Sequence, residues 1–300
     1  MSATRDRDPG DGHAALLRAL IDDQIRAVES VAAAADSLDA AAAAVAAALR
    51  AGGRLIYLGA GASGALAFQD GMELPGTFGL DPARLAFVAP AGAAPGRHAD
   101  AAGEDDEAAA RRAIEALEPK ANDLVLAVSA SGATPFTLAG ARAAKALGAR
   151  VVALVCRSDA PLLGCADVGV VVETGPEAVE GSTRLAAGTA QKAALGVIST
   201  LCCARLGHVH RGLMVNLRPD NAKLRARAIH IVERLSAVDE RTAAAALGAT
   251  NYDVKAAVVA AAGGLDPQAA KALVEACEGD LASALARAPV DRNTEFQPRA

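Results

Sequence analysis

Residues Arg54 to Gly64 read R-L-I-Y-L-G-A-G-A-S-G. A short apolar run closed by Gly59-Ala60-Gly61 is the pattern of a buried strand feeding a tight turn. Four similar runs follow at Leu85–Val88, Asp123–Val128, Arg150–Val155 and Val168–Val172. Helical spacing fills several gaps between them, notably Glu104–Leu117 and Pro135–Leu147. Continuous apolar strands alternating with helices demand right-handed crossovers. The expected fold is therefore α/β, with a mostly parallel sheet covered on both faces.

Outward from this stretch the pattern changes twice. Towards the N-terminus, His13 to Arg50 holds two alanine-rich helical stretches broken near Asp36, preceded by a polar tail over residues 1–12. Beyond Gly181 the strand signals stop. Leu185–Leu206 and Asp220–Leu235 read as long helices. Short helical pieces then run from Asp239 to Arg287, separated by Gly248, Gly263-Gly264 and Gly279. Asp239, Asn251 and Asp266 stand where N-caps are expected. The expected division is a sheet domain with its N-terminal helices over 13–237, and a small helical module with a tail over 238–300.

Composition removes several classes of function. The chain has 300 residues, 22% charged and 52% hydrophobic, the latter mostly alanine, which excludes a disordered protein. A net charge of −5 argues against a nucleic-acid partner. The most apolar stretch, Val31 to Leu49, carries Asp36 and Asp39, so no membrane span is expected. The N-terminus has no apolar signal region. Five cysteines without a C-x-x-C pair read as reduced thiols of a cytoplasmic protein. His208 and His210 flank Val209 without an acidic or cysteine partner, so no metal is expected.

In a parallel sheet, ligands bind beyond the carboxyl ends of the strands. Two loops there are rich in small and hydroxyl residues: Gly59-Ala60-Gly61-Ala62-Ser63-Gly64 after the first strand, and Ser129-Ala130-Ser131-Gly132-Ala133-Thr134 after the third. Small residues allow close backbone approach, helix N-termini offer free N–H groups, and hydroxyls add donors for phosphate oxygens. The first loop also satisfies G-x-G-x-x-G, but the second strand runs into Ala89-Pro90 with no acid for a ribose hydroxyl. A phosphate monoester fits better than a dinucleotide. Three acids stand near such loops. Glu73 lies in a helix end running into the Pro/Gly turn Asp70–Gly79, Glu104 opens a helix after the stretch Pro90–Gly96, and Glu180 precedes a long helix.

Taken together, Arg54–Gly64, Asp70–Gly79, Ala102–Asp105, Ser129–Pro135, Gly181–Arg184, Ala187–Lys192, Leu213–Val215 and Asn221–Leu224 resemble the N-acetylmuramic acid 6-phosphate etherases, over residues 15–287. The resemblance implies a sugar isomerase (SIS) three-layer sandwich with a five-stranded parallel sheet and a ubiquitin-associated-like helical tail. It also implies a cytoplasmic homodimer that recovers cell-wall sugars without metal or cofactor. The reaction implied is cleavage of the D-lactyl ether by elimination and hydration, giving N-acetylglucosamine 6-phosphate and D-lactate. Glu73 matches the acid for the departing lactate and Glu104 the second glutamate, cast as the base at C2. Ser63 and Ser131, with Ser129 and Thr134, match residues holding the phosphate or the sugar. Ala62, Ala65, Ala133 and Ala187 stand where the family usually carries Thr, Arg, Arg and Lys. The rival readings are a non-catalytic sugar-phosphate sensor and an amino-sugar-phosphate isomerase.

Overall fold

The computed structural model describes residues 12–90 and 101–289. Five strands, β1 (Leu55–Gly59), β2 (Leu85–Val88), β3 (Leu124–Val128), β4 (Arg150–Val155) and β5 (Val168–Val171), form one parallel sheet in the order β2-β1-β3-β4-β5. Each expected strand is present to within a residue. β1 and β3 are buried at every position, as central parallel strands with both faces covered must be.

The strand alternation sorts two cores. Leu55, Tyr57, Leu124, Leu126 and Leu154 face a layer made by α1 (Gly12–Ala33), α2 (Ala35–Arg50), α3 (Gly61–Phe78) and α6 (Ala186–Arg205). Ile56, Leu58, Val125, Val151 and Val155 face α4 (Glu107–Ala116) and α5 (Pro135–Ala146). The result is a three-layer sandwich. The alanines of α2 are mostly buried in the first core, and among the described residues no single helix is long and apolar enough to cross a membrane.

A short hairpin, β6 (Val209–His210) with β7 (Leu213–Met214), leads to a third core. That core joins Val215 and Leu217 to α7 (Ala222–Ser236), α8 (Glu240–Ala249), α9 (Val254–Gly263), α10 (Pro267–Ala276) and α11 (Leu281–Arg287). By packing, then, α7 belongs with the helical module, although the sequence pattern groups it with the sheet domain. Its inward face, Ala228, Ile231 and Val232, is covered by the module's helices.

Other local readings change as well. Glu104 does not open α4. It sits in a 3₁₀ turn, Ala101–Asp105, and Asp106 caps the helix by accepting from the Ala109 N–H at 2.8 Å. Asp70–Gly79 is no turn: α3 continues through Pro75 and ends at Gly79 (φ 65°). Pro75 has no N–H to give the preceding turn, and the helix ends one turn later, where the Gly79 N–H bonds the Pro75 oxygen at 3.0 Å. Asn251 caps nothing. It and Tyr252 take left-handed φ of 51° and 61°, and Asp253 caps α9 instead. The stretch Pro90–Gly96 lies, after Pro90, outside the described residues, as do residues 1–11 of the N-terminal tail and residues 290–300.

Candidate functional site

In the strand order observed, the direction in which successive strands are added reverses between β1 and β3, and at such a switch point the connections of neighbouring parallel strands leave to opposite sides and open a crevice. Both serine-containing loops leave the sheet at that point. Their roots are in register, Gly59 opposite Val128, with so little room that a Cβ on Gly59 would stand 3.1 Å from the Val128 oxygen.

Capping distinguishes these two loops from most of the other helix starts, α2 being uncapped as well. Asp106, Asn221, Asp239, Asp253, Asp266 and Asp280 each cap their helix through a side-chain oxygen. α3 and α5 have no such bond. Ala60 precedes α3 and has no group to offer, and the first intrahelical bond there runs from Gly64 N–H to Ala60 O. Thr134 precedes α5, but its Oγ1 pairs with Ser129 Oγ at 3.1 Å. Two helix ends with unspent N–H donors therefore point into one crevice, an arrangement suited to an anion. The neighbouring α6 is closed differently. Glu177 takes the N–H groups of Ala186 and Ala187 at 2.8 and 3.0 Å. No local pattern in the sequence marks Glu177, since it lies nine residues before the helix it caps.

The hydroxyls divide by environment. Ser63 is buried and donates to Gln191 Oε1 on α6 at 3.0 Å. Ser129 is buried and accepts from the Gly132 N–H at 3.0 Å, while the exposed Ser131 accepts from Ala133 N–H at 3.1 Å. Behind Ser129, Cys156 is buried, which pushes its thiol up to about 12 and keeps it out of the chemistry.

Glu104 lies over the first loop. A Cβ on Gly61, whose φ is 54°, would stand 2.6 Å from Glu104 Oε1. A half-buried carboxylate thus touches the open N-terminus of α3. Glu73 is elsewhere. It is exposed on α3, 3.4 Å from the Gln69 amide, and twelve residues of helix separate it from Gly61, a rise of about 18 Å. The two glutamates of one chain do not meet. Asp70, three residues before Glu73, is buried between the hydroxyls of Tyr57 (2.7 Å) and Ser199 (2.9 Å), and burial raises its pKa. Ala62 and Ala65 line an open groove of about 660 Å³ between α3 and α6, together with Leu66, Arg184, Thr189 and Lys192. Among the described residues no cluster of His, Cys, Asp or Glu is arranged to hold a metal ion.

This sheet order, with its switch point between β1 and β3, defines a doubly wound α/β domain. Residues 21–156 match the SIS domain family. A structure described as a putative phosphosugar isomerase involved in capsule formation from Bacteroides fragilis superposes with a TM-score of 0.50 at 19% identity, covering 65% of this chain and 91% of that one. More specifically, the chain belongs to the N-acetylmuramic acid 6-phosphate etherase family. It is 44% identical to the etherase of Deinococcus radiodurans over 88% of this chain and 87% of that protein. It is also 39% identical to etherase 1 of Bacillus licheniformis, over 79% and 78%.

Proposed function

We propose that the protein is a carbon–oxygen lyase that releases D-lactate from N-acetylmuramic acid 6-phosphate, working as a cytoplasmic homodimer. The observation carrying this reading is Glu104, set against the open end of α3 between the two serine loops. The N–H groups of α3 and α5, with Ser63, Ser129, Ser131 and Thr134, suit a sugar phosphate, which leaves Glu104 beside the sugar. With the sugar open, the C1 aldehyde acidifies the C2 proton and Glu104 removes it. The electron pair forms the C2–C3 double bond as the C3–O bond breaks, and an acid protonates the departing lactate oxygen. Water then adds at C3 and a proton returns to C2, so the net change is hydrolysis of the ether.

Glu73 suits the acid by its chemistry but stands about 18 Å of helix from its own loop. A second copy resolves this. Most of the large apolar side chains left exposed lie on α1, where Leu17, Ile21, Ile25 and Val28 form one stripe at helical spacing, and on α3 the exposed Met72 adjoins Glu73. A face of that kind supports association, which would bring Glu73 of one copy to the Glu104 of the other.

Lactate release from the purified protein is the direct test. Glu73→Ala is expected to abolish release while part of the C2 exchange with solvent survives, and Glu104→Ala to abolish both. Mixed dimers of the two variants regain one intact site, so about a quarter of wild-type activity is expected after co-expression. Two inactive variants that stay inactive together would rule out the shared site. Release that persists in Glu73→Ala would remove its role as the acid.

A further inference from the structure

Gln191 stands behind the first loop and takes no part in the chemistry above. It is 1% exposed, on α6, with its Oε1 3.0 Å from Ser63 Oγ and its Nε2 buried without a partner. An orphaned buried N–H is tolerated less well than an under-used carbonyl oxygen. A half-turn about the last torsion of the side chain exchanges the two ends of the amide and moves nothing else. The nitrogen then faces Ser63 and finds an acceptor there.

The two orientations give Ser63 opposite characters. With Oε1 against it, the hydroxyl spends its only proton on the amide and turns lone pairs towards the loop. With Nε2 against it, the hydroxyl accepts from the amide and its proton is free to point into the loop. The loop side already presents the N–H groups of Gly61, Ala62 and Ser63, which precede the first intrahelical bond. An anionic oxygen at that spot is served by donors and repelled by lone pairs. We infer that Gln191 is a positioning residue that donates to Ser63 Oγ through Nε2 and so turns the Ser63 hydroxyl into a donor to the anionic oxygens of the sugar phosphate. The inference rests on the reading that the first loop holds the phosphate.

The test is steady-state lactate release with inhibition by inorganic phosphate, measured on wild type and four variants. Ser63→Ala reports what the hydroxyl contributes, and loss of a charge-assisted bond is expected to raise KM about tenfold with kcat nearly unchanged. Gln191→Glu keeps the shape and, ionised at the alkaline end of the assay range, can only accept. It draws the Ser63 proton inward, so KM and the phosphate inhibition constant are expected to rise together by about tenfold or more. Gln191→Met is volume-matched and neutral, and is expected to raise KM about threefold in wild type and to add nothing in the Ser63→Ala background. A merely structural glutamine would behave otherwise, with Gln191→Met lowering kcat and adding fully to Ser63→Ala. That additivity, or unchanged phosphate inhibition in a folded Gln191→Glu, overturns the inference. If Ser63→Ala alone leaves KM and phosphate inhibition untouched, the phosphate reading of the loop falls first and this inference falls with it.

Discussion

Glycines within a few residues of one another do different work in this molecule. Gly59 and Gly64 are there for proximity, since a Cβ on Gly64 would lie 2.6 Å from the Gly59 oxygen. Gly61 combines a positive φ with the Glu104 carboxylate over its α-carbon. Gly61→Ala pushes that carboxylate out of place, and displacements of about 1 Å at a reacting group cost about a hundredfold in rate. Lactate release is expected to fall on that scale while the protein stays folded. Farther along α3, Gly71 lies against the stacked rings of Tyr57 and Phe87, where a Cβ would come within 2.7 and 2.5 Å. Gly71→Ala is expected to destabilise by about 1–3 kcal/mol from overpacking, less the small gain in helix propensity. Gly76 in the same helix has open space around it, so Gly76→Ala is expected to stabilise by about 0.5 kcal/mol. Denaturant unfolding of the two variants should show opposite signs.

At the scale of elements, an uncapped N-terminus marks a candidate site only where it also lies beyond the carboxyl end of a strand, as α3 and α5 do and the equally uncapped α2 does not. The aspartate caps of the C-terminal module close its helix ends, as N-cap residues ordinarily do. Asp253 accepts from the Ala256 N–H at 3.0 Å, and Asp253→Ala is expected to cost about 1 kcal/mol with lactate release retained at moderate temperature. The sequence points to Asn251 for this role because asparagine is a common cap. The chain uses that asparagine, and Tyr252 after it, to turn through the left-handed region, and hands the cap to the next acidic residue. α3 has Ala60 at its cap position, with no side-chain oxygen to offer, and the Thr134 hydroxyl before α5 is committed to Ser129. Their N–H groups remain open in the crevice for this reason.

At the scale of the whole molecule, the module is joined to the sheet domain through a polar seam. The backbones of Gly207 and Gly279 come close enough that a Cβ on Gly207 would lie 3.1 Å from the Gly279 oxygen, to which Lys255 Nζ donates at 2.8 Å. Lys255 is buried, and burial lowers its pKa despite Asp253 and Asp280 nearby. His208 faces the same seam, with Nδ1 unpartnered, and burial followed by the Lys255 charge holds it at about 4. His210 is also lowered by burial, then by Arg211, against the pull of Asp280. A histidine depressed in the folded state adds stability above its unfolded value of about 6.5, and that stability is lost as pH falls towards 4. For His208 the loss between pH 7.5 and pH 5 is about 2 kcal/mol. Urea midpoints are expected to drop over that window, and His208→Gln to flatten the dependence. An equally steep fall in His208→Gln would assign the effect to other groups.

The parallel sheet, its two serine loops and the family motifs were all legible in the sequence. Apolar runs, glycine turns and helical spacing are local properties that do not depend on what packs against them. The candidate acids were legible as residues but not as a constellation. Glu104 meets Gly61 only because a crossover returns the chain to the switch point, and Glu73 is carried away by a helix that persists through Pro75. Gln191 and Glu177 acquired their partners through contacts 128 and up to 10 residues away in the chain, to which no periodicity points. The assignment of α7 to the third core was likewise decided by packing, because an amphipathic helix states that it has a buried face but not which neighbour covers it.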